Sequence, residues 1–175
     1  TGIGLQGVDQ LHGTNLGGTA DGASREGGHQ QVPHIPCRIE QTLDFNLKST
    51  FLCMQQELRL MSAAGRGSIV NNSSIGGTRG FAGLQDYCAA KWGVIGLTKS
   101  AALESAAQGI RINVIAPGLV ATERFELIRS QQSALLDARI KEIPMARPAH
   151  MHEVAETVAW LLGPNCGFLT GALIP

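Results

Sequence analysis

The spacing of apolar residues changes several times along the chain. Between Arg38 and Gly65, the residues Ile39, Leu43, Leu47, Phe51, Met54, Leu58 and Met61 recur at steps of three and four. That period predicts a helix of about six turns with one apolar face, stopped by Gly65. "GSIVNNSS", centred on Ile69 and Val70, predicts a short buried strand. Residues 75–83 contain four glycines and predict a loop. "LQDYCAAKWGVIGLTKSAALESAAQG" is helical again and closes at Gly109, and the β-branched run "IRINVIAPG" predicts a second strand ended by Pro117-Gly118. Residues 122–141 and 152–162 give two more helical patterns, and "FLTGALI" begins a last strand. Residues 1–37 are rich in glycine, have little periodicity, and predict an irregular opening.

Strands that alternate with helices, each strand running into a glycine loop, predict βαβ crossovers and a parallel α/β sheet. In such sheets chemistry gathers at the carboxyl ends of the strands. Ser74 and the Pro117-Gly118 turn both fall at such ends.

Composition changes this picture little. The 175 residues suit one domain, and lysine plus arginine equals aspartate plus glutamate at 14 each. This balance points to neither a nucleic-acid nor a membrane partner. No apolar run reaches the ~20 residues that span a bilayer, and no signal-like segment opens the chain; a cytoplasmic location is the expectation. Cys37, Cys53, Cys88 and Cys166 have no metal-ligand spacing and are expected as reduced, partly buried thiols. His29/His34 and His150/His152 lack a nearby acidic or thiol partner at zinc-like spacing, so no metal is expected.

The chemistry-bearing stretch is "SSIGGTRGFAGLQDYCAAK". Its Tyr87 is the chain's single tyrosine, Lys91 follows four residues later, and Ser74 precedes it by thirteen. Side chains at i and i+4 leave one face of a helix. A free phenol titrates near ~10, and a neighbouring cation favours its anion. A tyrosine beside an ammonium can therefore exchange a proton with a substrate oxygen near neutral pH. A serine at a strand end can hold the same oxygen. The plain alternative is a tyrosine capping the core with a solvated lysine one turn on.

Asn46 within "LDFNLKSTF", the strand end "IVNNSS", "YCAAK" and "IRINVIAPG" together resemble the classical short-chain dehydrogenases/reductases. The match runs in order, at family spacing, from about Arg38 to Gly171. It implies a partial Rossmann-type doubly wound parallel sheet, in one incomplete domain over residues 1–175. It further implies interconversion of an alcohol and a carbonyl by hydride transfer with NAD or NADP.

On this resemblance Tyr87 is the general acid/base, and Lys91 lowers its pKa and bonds the nicotinamide ribose. Ser74, rather than Ser73, holds the substrate oxygen, and Asn46 supports a water that links Lys91 to solvent. Pro117 and Gly118 start the turn under the nicotinamide, while Val120 offers backbone groups to the carboxamide and Thr122 its hydroxyl. A plain Pro-Gly turn followed by an N-cap threonine stays open for that segment. Gly76, Gly77, Arg79 and Phe125 are candidate substrate-lining residues. Ala89, Ala90, Gly93 and Gly96 allow close packing on the sheet or against a second copy, and the family implies a homo-oligomer, dimer or tetramer, for the full-length protein.

The resemblance weakens toward both ends. "VDQLHGTNLGG" looks like the family's fourth strand and loop, with Asn15 and Gly17 as cofactor-binding positions; "TGIG" matches only a fragment of a glycine-rich turn. The expectation is that the first three strands and the closing V-D-G-G-type stretch are missing. The adenosine half of the cofactor site would go with them, and residues 1–175 alone would not turn over. Against the enzyme stands a truncated, non-catalytic chain of the same ancestry that associates only through its helices. An unrelated α/β binding module would need four motifs to coincide.

Overall fold

The structure, a computed structural model, describes residues 5–6 and 39–175. A short strand β1 (Leu5–Gln6) is followed among the described residues by α1 (Ile39–Leu43), a π-helical turn over Asp44–Lys48 and α2 (Ser49–Ala64). Next come β2 (Gly67–Asn72), a 3-10 turn at Ile75–Gly77, α3 (Gln85–Ser105) and β3 (Ile110–Ile115). The remainder is β4 (Val120–Ala121), α4 (Glu123–Gln131), α5 (Ser133–Lys141), β5 (Ala149–His150), α6 (Met151–Leu162) and β6 (Leu173–Ile174). The main sheet has the order β1-β2-β3-β6, and every pairing in it is parallel. β4 and β5 form a separate parallel pair.

Alternation along the two central strands explains how helices cover both faces of the sheet. Ile69, Ile110 and Ile112 pack with Met54 and Met61 of α2 and with Ala101 and Ala102 of α3. Val114 continues that face against Val94 and Ile95. Val70 and Ile115 point the other way, onto Val158 and Leu161 of α6. Burying each such aliphatic side chain stabilises the fold by roughly 1.5–3 kcal/mol. The doubly wound, partial parallel sheet expected from the sequence is therefore present.

Three local expectations need correction. The helix after Arg38 is not one regular helix with a single apolar face, because a π-helical turn interrupts it at Asp44–Lys48. There the Ser49 N–H donates to the Asp44 carbonyl. The Asn46 amide and the Ser49 and Thr50 hydroxyls donate to the carbonyls of Thr42, Phe45 and Asn46 in turn. Side-chain donors that engage carbonyls one turn back compete with the α ladder. An extra residue in the turn shifts the helical register between α1 and α2, and of the predicted apolar face Met54 and Met61 are buried while Ile39 and Phe51 are exposed.

The pattern over residues 122–141 is likewise two helices, broken at Gln132, whose φ of −144° and ψ of 51° are not helical. Finally, β1 lies at Leu5–Gln6, within the stretch read as irregular. Residues 8–18, expected to supply that strand together with Asn15 and Gly17, lie outside the described residues.

Arg111 holds the far side of the sheet to the end of α6. Its guanidinium donates to the carbonyls of Leu161 at 2.8 Å and Gly163 at 3.0 Å. These are groups that a helix end leaves unsatisfied, and a cation is favourable there. Replacing Arg111 by Met is expected to destabilise the protein by about 2 kcal/mol, read as a lower urea midpoint with an unchanged slope.

A second tie closes the β4–β5 corner. Arg147 grips Glu153 at 2.7 and 2.8 Å, and the His150 N–H donates to the same carboxylate at 2.7 Å. The hydrogen bond from Arg147, and then that from the His150 backbone, hold the Glu153 carboxyl well below its usual range, at about 2. A depressed carboxylate stabilises the fold above its unfolded-state pKa and loses that contribution as pH falls through its folded value. Glu153→Gln is therefore expected to lower the Tm at neutral pH, with the gap to wild type closing as pH falls toward about 2. Thermal melts of both proteins across that range check it.

Candidate active site

The carboxyl ends of β2 and β3 continue as paired backbone beyond the strands. The Ser73 N–H donates to the Ile115 carbonyl at 2.8 Å, and the Ile75 N–H to the Pro117 carbonyl at 3.0 Å. Ser74 is thereby held beside the Pro117-Gly118 turn. The two neighbouring serines behave differently. Ser73 is buried and its hydroxyl donates to the Lys91 carbonyl at 2.8 Å. Ser74 is half-buried, and its oxygen accepts the Gly76 N–H at 3.1 Å. That bond leaves the Ser74 proton available to a further acceptor.

Two glycines let α3 close on this loop. A Cβ at Gly77 would stand 2.8 Å from the Lys91 carbonyl and 2.8 Å from Ile95 Cδ1. A Cβ at Gly76 would stand 3.1 Å from Cε1 of the Tyr87 ring. The turn after Ser74 therefore lies directly against Tyr87.

Tyr87 and Lys91 share one face of α3, and both are buried. Lys91 is only 1% exposed, its ammonium donates to the Asn72 carbonyl at 3.2 Å, and it stands 5.6 Å from the centroid of the Tyr87 ring. The reading of Lys91 as a solvated surface lysine is excluded.

Asn46 lies in the π-helical turn, which packs on α3 through Leu47. A Cβ at Gly93 would come within 2.8 Å of a Leu47 methyl, so this glycine serves a helix contact within the chain. Ala90 is also buried, whereas Ala89 and Gly96 face outward. Next to Asn46, the Thr42 hydroxyl donates to Asp86 at 2.7 Å, and Asp86 accepts the Tyr87 N–H at 2.8 Å. This bridge between the two helices has no sequence signature.

On the far side, Thr122 caps α4, its oxygen accepting the Phe125 N–H at 3.2 Å, and Val120 sits in β4 opposite Ala149. Phe125 is buried, and neither it nor Gly76 and Gly77 lines the cavity beside Ser74. That cavity, about 780 Å3, runs from Ile75 and Gly118 to α5 and includes Arg79. Phe81, Leu135 and Arg139 also line it, and sequence reasoning did not single them out.

A nicotinamide cofactor can be tested against these groups. The Asn72 side-chain oxygen, at the end of β2, is buried without a hydrogen-bond partner among the described residues. A buried acceptor of this kind calls for a donor, and a sugar hydroxyl is one. With the Lys91 ammonium on the backbone carbonyl of the same residue, the residues present fit the nicotinamide–ribose end of such a group. Asn15 and Gly17 lie outside the described residues.

The parallel α/β sheet thus has Ser74 on the loop after β2, with Tyr87 and the buried Lys91 on the helix that follows. Residues 35–175 match the family model described as enoyl-(acyl carrier protein) reductase, and the chain belongs to the short-chain dehydrogenase/reductase family. It is 42% identical over 132 residues to cyclohexanol dehydrogenase of Acinetobacter sp. (strain SE19), covering 75% of this chain and 50% of that protein. Among solved structures, ElxO with NADP bound superposes with a TM-score of 0.76 at 32% identity, over 87% of this chain and 61% of that one. NAD+-bound xylitol dehydrogenase gives 0.74 at 29% identity, over 78% and 58%. The chain spans about half the length of the curated relatives it matches.

The glycine contacts are open to a direct test. Gly77→Ala is expected to destabilise the protein by about 1–3 kcal/mol through overpacking against α3, whereas Gly80→Ala, where a Cβ meets nothing within 4 Å, should have little effect. Urea midpoints of the two variants make the comparison.

Proposed function

We propose that the full-length protein interconverts an alcohol and a ketone or aldehyde, using NAD or NADP. One observation carries the reading most directly: Lys91 is buried at the carboxyl end of β2, with its ammonium 5.6 Å from the centroid of the Tyr87 ring. The cofactor-bound relatives and the fit of the Asn72–Lys91 corner support the choice of cofactor.

A bound nicotinamide would supply the hydride chemistry, as acceptor from the alcohol carbon or donor to the carbonyl carbon. This chain's residues handle the oxygen and its proton. Ser74 donates to the substrate oxygen and fixes its position. In oxidation, Tyr87 as phenolate takes the hydroxyl proton; in reduction, its phenol gives a proton to the developing alkoxide. Lys91, buried with its ammonium 5.6 Å from the centroid of the Tyr87 ring, stabilises the phenolate charge. Asn46 supports a water on the route from Lys91 to solvent. Pro117, Gly118, Val120 and Thr122 would hold the nicotinamide.

A homo-oligomer accompanies this reading. Phe45, Phe51, Trp92 and Leu103 are large apolar side chains left exposed on the π-helical turn, α2 and α3. Side chains of this kind are commonly covered by another subunit.

Tyr87→Phe in the full-length protein keeps the ring and removes only the proton. It is expected to lower kcat by about 10²–10⁴-fold while NADH or NADPH still binds, as followed by nucleotide fluorescence. Turnover near the wild-type rate would remove Tyr87 from the mechanism.

A further inference from the structure

The cavity beside Ser74 is apolar along much of its wall, with Ile75, Leu119, Leu135, Ile143 and Met145 facing it. Its charged residues are not evenly matched. Arg147 and Glu153 neutralise one another in their two-point contact. Arg79 and Arg139 pair with no carboxylate among the described residues, and Glu142 is the one other acid on the wall. The wall thus has one guanidinium in excess.

The two free guanidiniums come from different parts of the chain and meet at one ring. Arg79, on the loop after Ser74, has its guanidinium carbon 4.9 Å from the Phe81 centroid, and Arg139 of α5 stands 5.6 Å from the same point. Stacking on an aromatic face restrains a guanidinium while leaving its N–H groups to bind an anion. Two cations held at one ring repel each other, and an anion within reach of both relieves that repulsion. The arginines lie on the wall that starts at Ile75, next to the residue proposed to hold the reacting oxygen.

We infer that the substrate has an apolar body with a carboxylate at the end remote from its reacting oxygen, and that Arg79 and Arg139, braced on Phe81, receive that carboxylate. The inference rests on the carbonyl–alcohol reading of the same site and adds the substrate class. Charge-assisted, forked hydrogen bonds from arginine are the contacts that separate an acid from its neutral ester.

The test compares 7-oxooctanoate with its methyl ester as substrates for the full-length protein, in wild type and in the double variant Arg79→Gln/Arg139→Gln. Wild type should favour the acid by about tenfold or more in kcat/KM, equivalent to about 1.4 kcal/mol, and the double variant should lose most of that preference. Equal kcat/KM for acid and ester in wild type, or an acid preference that survives in the double variant, overturns the inference. If no carbonyl compound is turned over, the proposed reaction fails, and calorimetry with octanoate and octanamide reads the anion site separately. Octanoate binding that is stronger than octanamide binding in wild type, and is lost in the double variant, supports the site. No binding of octanoate, or equal binding of the two, overturns it.

Discussion

The arrangement of the site depends on a lysine kept out of water. An ammonium can be buried only where hydrogen-bond acceptors and compensating charge surround it. Here the Asn72 carbonyl at the end of β2 supplies one acceptor, and the Tyr87 ring stands alongside. Meeting that requirement brings α3 hard against the loop after β2. Ser73 bonds the Lys91 carbonyl, and Gly77 has no side chain to obstruct the approach. Because the helix is fixed at Lys91, Tyr87 one turn earlier is fixed too, with the turn after Ser74 lying on its ring.

The other helix of the site is adjusted to the same contact. A regular α-helix would carry its apolar face past α3 with an unbroken period. The π-helical turn instead rotates the residues on either side of it, so that Leu47 enters the space over Gly93 and Thr42 reaches Asp86. Asp86 in turn accepts the Tyr87 backbone N–H. A local departure from helical regularity thus joins the segment bearing Asn46 to the segment bearing Tyr87. π-bulges occur often at functional sites, and this one has a visible structural purpose.

The cavity has a different origin from the chemistry beside it. The strand ends and α3 position Ser74, Tyr87 and Lys91, and these belong to the packed part of the sheet. The cavity wall is completed by α5 and by the segment leading to β5, beyond the break at Gln132. The Arg147–Glu153 tie holds that segment against the start of α6. Ser74, Tyr87 and Lys91 are therefore carried on one scaffold, and most of the cavity wall is carried on another. Such a division lets loops vary while the reaction stays the same.

Local patterns determined a good part of this protein. The order β2, α3, β3, α6 and β6, the stops at Gly65 and Gly109, and the sharing of one helix face by Tyr87 and Lys91 all follow from period and spacing over a few residues. The choice of Ser74 over Ser73 comes from family spacing alone, and the different hydrogen bonds of the two serines have no local sequence signal. Tertiary structure alone decided the rest. Whether Lys91 is buried depends on β2, which lies about twenty residues away. The π-helical turn arises from side-chain donors competing with the backbone, a balance that periodicity does not reveal. Arg79, Phe81 and Arg139 meet because α5 folds back over the loop after Ser74, and no short-range pattern records a contact between residues some sixty positions apart.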